Sequence, residues 1–394
     1  MDNLIDQLII RWEQAFDDIQ NLPVYKAQVK NTQYANGARY NLEKFDLHSF
    51  LSDGSLSPDH DNHEYGFNDQ CLPCYVAFSH AHNKTYWEGY YKYTDNLAEY
   101  IEFNINTGTP SAITSVIFEN GRKTATQRLV VNGRGTIYAH LKSDRTALIN
   151  KIKEDANALF LTATRFEYNK EGKIIRSAST HITPGIGEYT SHDEYTYIDN
   201  QLDKIRTFDA EGNSRLTYSR NSENLFPEAL IEKLAQSMAA SITHTLQHYE
   251  MALPLAILEL GFHYADNYLP LLGIQSQQEV EQRRLKGEFV FITDNYIDTL
   301  IDITPFEDLF AQMEQLMEEQ DDMNIGVKVL RKTAAILTET RLFGKIETTG
   351  DFAAFAIDWS IEGHSTEDLT AIFLECGVTP DTITKWKQNN LLTE

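Results

Sequence analysis

The alternation of apolar and polar positions changes character near the middle of the chain. Leu4, Ile5, Leu8, Ile9, Trp12, Ala15, Phe16 and Ile19 recur at helical spacing, which predicts an amphipathic helix over 4–19 ended by Pro23. Segment 30–70 is polar, with Gly54, Pro58 and an Asp/His/Asn run, and reads as loop. From Cys74 to about His140 the pattern is strand-like and rich in β-branched and aromatic residues, at 75–78, 85–91, 112–118, 127–131 and 136–138. Asn120-Gly121 and Asn132-Gly133 read as hairpin turns. Residues 95–103 fit either a short helix or an edge strand, and 144–157 reads as a helix.

Between Leu159 and Ser219 lie two matching hairpin units in tandem. Phe166-Glu-Tyr168-Asn169-Lys-Glu-Gly172-Lys-Ile-Ile-Arg176 is the first, and Tyr195-Thr-Tyr197-Ile-Asp199-Asn200-Gln-Leu-Asp-Lys-Ile-Arg206 the second. A third turn follows at Phe208-Asp209-Ala-Glu-Gly212. Aromatics two residues apart share one strand face, and Asn, Asp and Gly supply the turn geometry. After this stretch the pattern is helical. Helices are predicted at 227–249, 254–268, 276–287, 292–303, 306–320, 325–342, 366–375 and from Thr379-Pro380 onward, with one strand at 352–359. Ser365 and Asp368 form a capping-box-like start, and Gly377 a stop. The expected fold class is α+β: a largely antiparallel β domain with an N-terminal helix over 1–222, then a mainly helical domain with a small β element over 223–394.

Charge sharpens that division. The 394 residues carry 34 Lys+Arg against 58 Asp+Glu, a net of −24. Met1–Leu225 holds 23 basic and 30 acidic residues, and Phe226–Glu394 holds 11 and 28, so the second half carries −17. A surface this acidic repels nucleic acid and anionic lipid and steers toward basic partners; acidity also serves solubility. The apolar runs are too short to span a bilayer, and Met1-Asp-Asn-Leu-Ile-Asp lacks a secretory signal's basic start. Three cysteines, Cys71, Cys74 and Cys376, make no disulfide framework. A cytoplasmic protein is expected.

Candidate chemistry is sparse. Cys71-Leu-Pro-Cys74, flanked by His60, His63, His80 and His82, offers a redox pair or a zinc site, against a reading as a small strand-edge pair. His244 and His248 at i, i+4, with Glu259 and His263 at the same spacing on the next predicted helix, offer a second metal set; Thr245 stands where a zinc protease needs Glu. These clusters define the rival reading, a metal-dependent hydrolase. Gly133-Arg-Gly135 lacks the helix that a phosphate loop requires, and Cys376 has no base nearby in sequence. Asp294, Asp298 and Asp302 would form one acidic stripe on a helix, where like charges cost about 0.2–0.5 kcal/mol per pair. Glu314, Glu318, Glu319, Asp321 and Asp322 extend it. That cost marks these eight acids as candidates for a basic partner, against a plain solvated face.

Gly350-Asp351-Phe352-Ala-Ala-Phe355-Ala356-Ile357-Asp358 followed by a closing helix with Trp386, Leu391 and Leu392 is similar to a domain of immunity proteins from bacterial polymorphic toxin systems. The Tyr-rich hairpins resemble the YD-type units of Rhs proteins, although two or three units fall far short of an Rhs shell. The resemblance implies an inhibitor that binds one cognate protein toxin, with no reaction, cofactor or metal of its own. An Rhs-associated adaptor is a further reading.

Overall fold

The computed structural model describes residues 2–46, 49–50, 56–57, 62–80, 85–132, 138–249, 251–264, 267–297, 301–320, 322–341 and 343–392. It divides into two compact units, Met1–Thr217 and Tyr218–Glu394. Both strands and helices are present, an α+β chain. Among the described residues no helix is long and apolar enough to cross a membrane.

In the first unit, helix α1 (Asp2–Ala15) is followed by the short α2 (Leu22–Lys26), strand β1 (Asn31–Ala35) and the two-residue strands β2 (Phe45–Asp46) and β3 (Ser49–Phe50). Next come β4 (His63–Phe67), β5 (Pro73–His80), β6 (Thr85–Tyr93), β7 (Leu97–Asn104), β8 (Thr109–Glu119) and β9 (Arg122–Val131). After α3 (Arg145–Glu154) lie β10 (Leu159–Tyr168), β11 (Ile174–Thr183), β12 (Gly187–Ile198), β13 (Gln201–Phe208) and β14 (Ser214–Ser219). Twelve of these strands form one sheet in the order β1-β4-β5-β6-β7-β8-β9-β10-β11-β12-β13-β14. Every neighbour in that sheet is also the next of its strands along the chain; most are joined by short turns, while the longer segments 36–62 and 132–158 join β1 to β4 and β9 to β10.

The sequence expectation needs three corrections here. Pro23 does not end the first helix; α1 stops at Ala15, and Pro23 sits in the first turn of α2, where its missing N–H costs nothing. Segment 30–70 is not only loop, because it supplies β1 and β4. Their polar residues hide the strand pattern, and pairing in register, Asn31↔Phe67 to Ala35↔His63, overrides it. Residues 97–104 resolve as a strand in the middle of the sheet. Gly133-Arg-Gly135 lies outside the described residues.

Over its first half the sheet is covered on both faces. Leu4, Leu8, Trp12 and Ala15 of α1, with Leu148 and Ile152 of α3, pack on Tyr75, Ile101, Phe103, Ile113 and Leu129. Trp12 donates its indole N–H to the Pro110 carbonyl at 3.0 Å, and Arg11 clasps the buried Glu99 carboxylate with two bonds of 2.8 and 2.7 Å. On the other face Leu42 and Phe45 cover Tyr65, Val76, Tyr91, Val116 and Phe118, with Ala35 of β1 in the same cluster. The tandem hairpins carry no such cover along most of β12 and β13, whose residues are exposed or half-buried. Polar ladders replace a core there. Ser177 and Thr207 donate to the two oxygens of Asp193, at 2.6 and 2.7 Å, across three strands. On the opposite face Glu167, Arg176, Glu194 and Arg206 stand in one register row of alternating charge.

In the second unit α4 (Pro227–Gln247) leads to β15 (Leu255–His263) and β16 (Asn267–Ser276). Then come α5 (Gln277–Lys286), α6 (Glu307–Gln320), α7 (Asn324–Thr340), β17 (Thr348–Ile357), α8 (Thr366–Glu375) and α9 (Pro380–Gln388). The three strands form a sheet in the order β16-β15-β17, with β15 and β17 parallel. Two helix predictions fail. The helix expected at 254–268 is the β15–β16 hairpin: Leu255-Ala-Ile-Leu-Glu-Leu260 is buried on both faces, and such a strand loses the alternation that distinguishes it from a helix. The helix expected at 292–303 is absent among the described residues; Tyr296 instead bridges Gly273, and Ile297 donates its N–H to the Leu272 carbonyl at 2.9 Å. The caps at Ser365 and Thr379 form as expected, each side chain accepting the N–H three residues on, at 3.0 and 3.2 Å.

The outer edge of β17 is closed by side chains. Thr338 Oγ1 accepts the Ala354 N–H at 2.9 Å and donates to the Ala354 carbonyl at 3.0 Å, and Cys376 Sγ accepts the Ala356 N–H at 3.4 Å. A Thr338→Val variant keeps the shape but strands two buried backbone groups. It should lose about 1–3 kcal/mol per unsatisfied group in urea unfolding; a loss below about 0.5 kcal/mol contradicts this role.

Candidate functional site

The eight acids singled out in the sequence do not lie on one helical stripe. Asp294 sits in a bend, 89% exposed, and takes a hydrogen bond from Arg283 of α5 at 2.8 Å. Asp302 is exposed beyond it; the Thr304 side chain, then the Thr304 N–H at 3.0 Å, hold its carboxyl below the usual range. Asp298 and Asp321 lie outside the described residues. Glu314, Glu318 and Glu319 all belong to α6, which turns Phe310, Ala311, Met313 and Met317 into the core. Glu318 and Glu319 are exposed in its last turn, which itself holds no basic residue and where the helix dipole disfavours acids by about 0.3–1 kcal/mol each. Asp322 lies between α6 and α7, accepts the Asn324 N–H at 3.0 Å and stands 4.0 Å from Lys328 Nζ. Glu314, Glu318, Glu319 and Asp322 thus follow one another along the end of α6 and its link to α7, while Asp294 and Asp302 belong to separate local bonding.

The metal readings find no common centre. Among the described residues no group of three or more His, Cys, Asp or Glu side chains converges as a metal site would. Cys71 is exposed in a turn; Cys74 is the extra residue of a bulge between β4 and β5, buried, with its thiol pushed up to about 11 by burial. His63 stacks on Phe78 at 4.6 Å, and His60 and His82 lie outside the described residues. His244 and His248 do lie together near the end of α4, ring centroids 4.7 Å apart. Their supposed partners are on a strand rather than a helix, with Glu259 buried and His263 exposed on β15. Cys376 is buried, its thiol pushed up to about 12 by burial, as suits its bond to β17 and not a nucleophile.

The turn at Cys71 has an explanation of its own. Asn68 Oδ1 accepts the N–H groups of Gln70 and Leu72, both at 3.0 Å, as Asn169 Oδ1 accepts those of Glu171 and Lys173 at 3.0 and 2.9 Å. Asp209 builds the same turn. The fourth residue is left-handed each time: Gly172 at φ +84°, Gly212 at +86°, and Cys71 at +59°. Cys71 therefore occupies a glycine position in a recurring hairpin turn.

One carboxylate, Glu102, escaped the sequence reading, and another, Glu259, was read there only as a metal ligand on a helix. Glu259 is 0% exposed within an otherwise apolar strand. Its Oε1 accepts the Trp359 indole N–H at 2.8 Å and the Tyr296 hydroxyl at 3.1 Å, and its Oε2 lies 3.4 Å from the Thr293 N–H. Burial raises its pKa, against these hydrogen bonds. The charged residue inside Leu255–Leu260 was the available signal. Glu102, in the first unit, breaks Tyr100-Ile101-Glu102-Phe103 in the same way. Elsewhere in the second unit, a cavity of about 1080 Å³ is lined by residues including Ile257, Phe291 and Trp386, with Lys385 paired to Asp351 at 3.1 Å. No family model matches the chain, and no curated protein matches it.

Two outcomes are expected. Cys71→Gly should raise stability by up to about 1 kcal/mol, the left-handed cost of a side chain less glycine's extra chain entropy; a clear loss in chemical unfolding refutes the turn assignment. For Glu259 the folded pKa lies above the unfolded one, so the native state takes up the proton first and the buried charge costs stability at neutral pH. The melting temperature of the native chain relative to Glu259→Gln should rise as pH falls through the raised folded value, and level off below 4.5. A flat difference across that window contradicts the assignment.

Proposed function

We propose that the protein is a binding protein of the immunity type, which occludes a cationic surface of one cognate protein toxin and performs no reaction itself. The second unit supplies the charge: Tyr218–Glu394 holds 12 basic and 29 acidic residues, a net of −17. The observation that carries the reading is the placement of Glu318 and Glu319. They are solvent-facing acids at the end of α6 that oppose its dipole, next to Asp322 on the link to α7. Acids that oppose the dipole of their own helix gain by meeting a basic partner, through fast electrostatic steering and charge-assisted hydrogen bonds. The same acids disfavour nucleic acid and anionic membrane as partners. The likeness of 350–358 and the closing α9 segment to immunity domains supports the same class.

The test is co-purification with the product of the adjacent gene at low salt. A stable complex is expected, weakened by the Glu318→Lys, Glu319→Lys double variant by about ten-fold or more, and by high salt. Absence of association at low salt, or binding indifferent to both charge reversals, refutes the reading.

A further inference from the structure

The cleft of about 1080 Å³ in the second unit shares no residue with the α6 acids, and its lining is neutral overall. Its four charged side chains pair off: Lys385 with Asp351 at 3.1 Å, and Arg284 with Glu281, the Arg284 Nε donating at 2.7 Å. That neutrality contrasts with a net of −17 for the unit as a whole. The polar remainder is mostly amide. Gln277 and Gln278 open α5, and Gln388, Asn389 and Asn390 lie at the end of α9. All five are exposed, and among the described residues none has its side chain tied in a hydrogen bond within the chain. A side-chain amide offers two donors and an acceptor, the complement of a peptide group's carbonyl and N–H.

The floor is apolar. Ile257 of β15 lies there with Val290, Phe291 and Trp386. The two rings are 1% and 3% exposed, so they show no open face on which a sugar could stack. The accessible apolar groups are aliphatic: Leu253, and the half-buried Val280 and Leu391. Part of the lining is bare backbone. In β17 the ladder to β15 is irregular between Thr348, opposite Leu255, and Ala353, opposite Ile257. Gly350 falls in that stretch. It is not left-handed, and a Cβ on it would meet no atom within 4 Å among the described residues. Neither conformation nor internal packing calls for glycine there, and a strand glycine of that kind leaves room for a second backbone to come close. Gln275, the cross-strand partner of Ile257, is 2% exposed, and among the described residues neither atom of its amide has a hydrogen-bond partner. An amide buried in that state is unfavourable until something bonds it.

We infer that this cleft is a binding site for an extended peptide segment of a partner protein, a segment of little net charge that carries an aliphatic anchor. The anchor packs on Ile257 with Val280 and Leu391, the amides of α5 and α9 bond the main chain, and that main chain passes Gly350. A peptide group seated at Ile257 offers Gln275 the partner it lacks. The inference does not rest on the toxin reading, whose acids lie on α6.

Random linear peptides displayed on phage, panned on the full-length protein and counter-selected on its Gly350→Trp variant, supply the probe. The variant puts bulk into the cleft at a position where an added side chain starts in open space, and its melting curve should match the native one. Enriched peptides, synthesised with blocked ends and titrated by calorimetry, should share a Leu, Ile, Val or Met and carry little net charge. They should bind Gly350→Trp at least about ten-fold more weakly than the native chain. Gln278→Arg, at an exposed position of the same lining, should weaken them likewise and keeps the test open if Gly350→Trp does not fold. Failure to enrich any peptide, equal binding to the folded variants, or enrichment only of strongly charged peptides overturns the inference. So does saturable binding of maltotriose that the same variants abolish, which would make the cleft a sugar site. Glu318 and Glu319 are unaltered throughout, so failure here is distinct from failure of the toxin reading.

Discussion

Pairing of each strand with the next one in its sheet is the constraint on which the first unit depends. A strand that follows its neighbour through a short turn closes little chain, so the entropic cost of each new pairing stays small. Most of the twelve strands assemble in this way, the longer links from β1 to β4 and from β9 to β10 excepted. A core on both faces holds the first half, and side-chain ladders such as Ser177–Asp193–Thr207 hold the second. Where no apolar layer covers the sheet, register depends on the turns. Asn169 and Asp209 there tie back residues of their own loops, and Asn68 builds the same turn in the covered half.

The second unit solves a different problem. Its three-stranded sheet is packed on both faces, so its strands are apolar on both sides. An edge inside such a core must be satisfied without another strand, and Thr338 and Cys376 do this for β17. With the core built from apolar residues, nearly all the acids are left for the surface. The exceptions, Glu259 and Asp358, are held by hydrogen bonds rather than by cations: Asp358 accepts the Tyr264 N–H at 2.7 Å and the Ser360 N–H at 2.8 Å.

What the sequence made legible follows from these physics. The hairpins at 166–176 and 195–206 were readable because alternation and turn chemistry agree, and Asp199-Asn200 turns with both residues left-handed. Helices with one buried stripe, such as 227–247 and 324–340, were readable by period. The β15–β16 hairpin was not, since burial on both faces erases the period, and β1 was not, since its residues are polar. The excess of acids was legible by counting, but their grouping was not: Asp294 and Asp302 leave the stripe because the described residues on either side, 292–297 and 301–303, form no helix. The row that sets Glu102 between Gly89 and Ala112 required the register of neighbouring strands, which a single sequence does not display.

The account assigns recognition of a basic partner to the end of α6 and its link to α7. Hydrogen–deuterium exchange of the protein alone and in its complex tests this most directly. Slowed exchange over 314–328, with the tandem hairpins at 159–219 unchanged, is the predicted result. Protection confined to the first unit, with 314–328 exchanging as in the free chain, would contradict it.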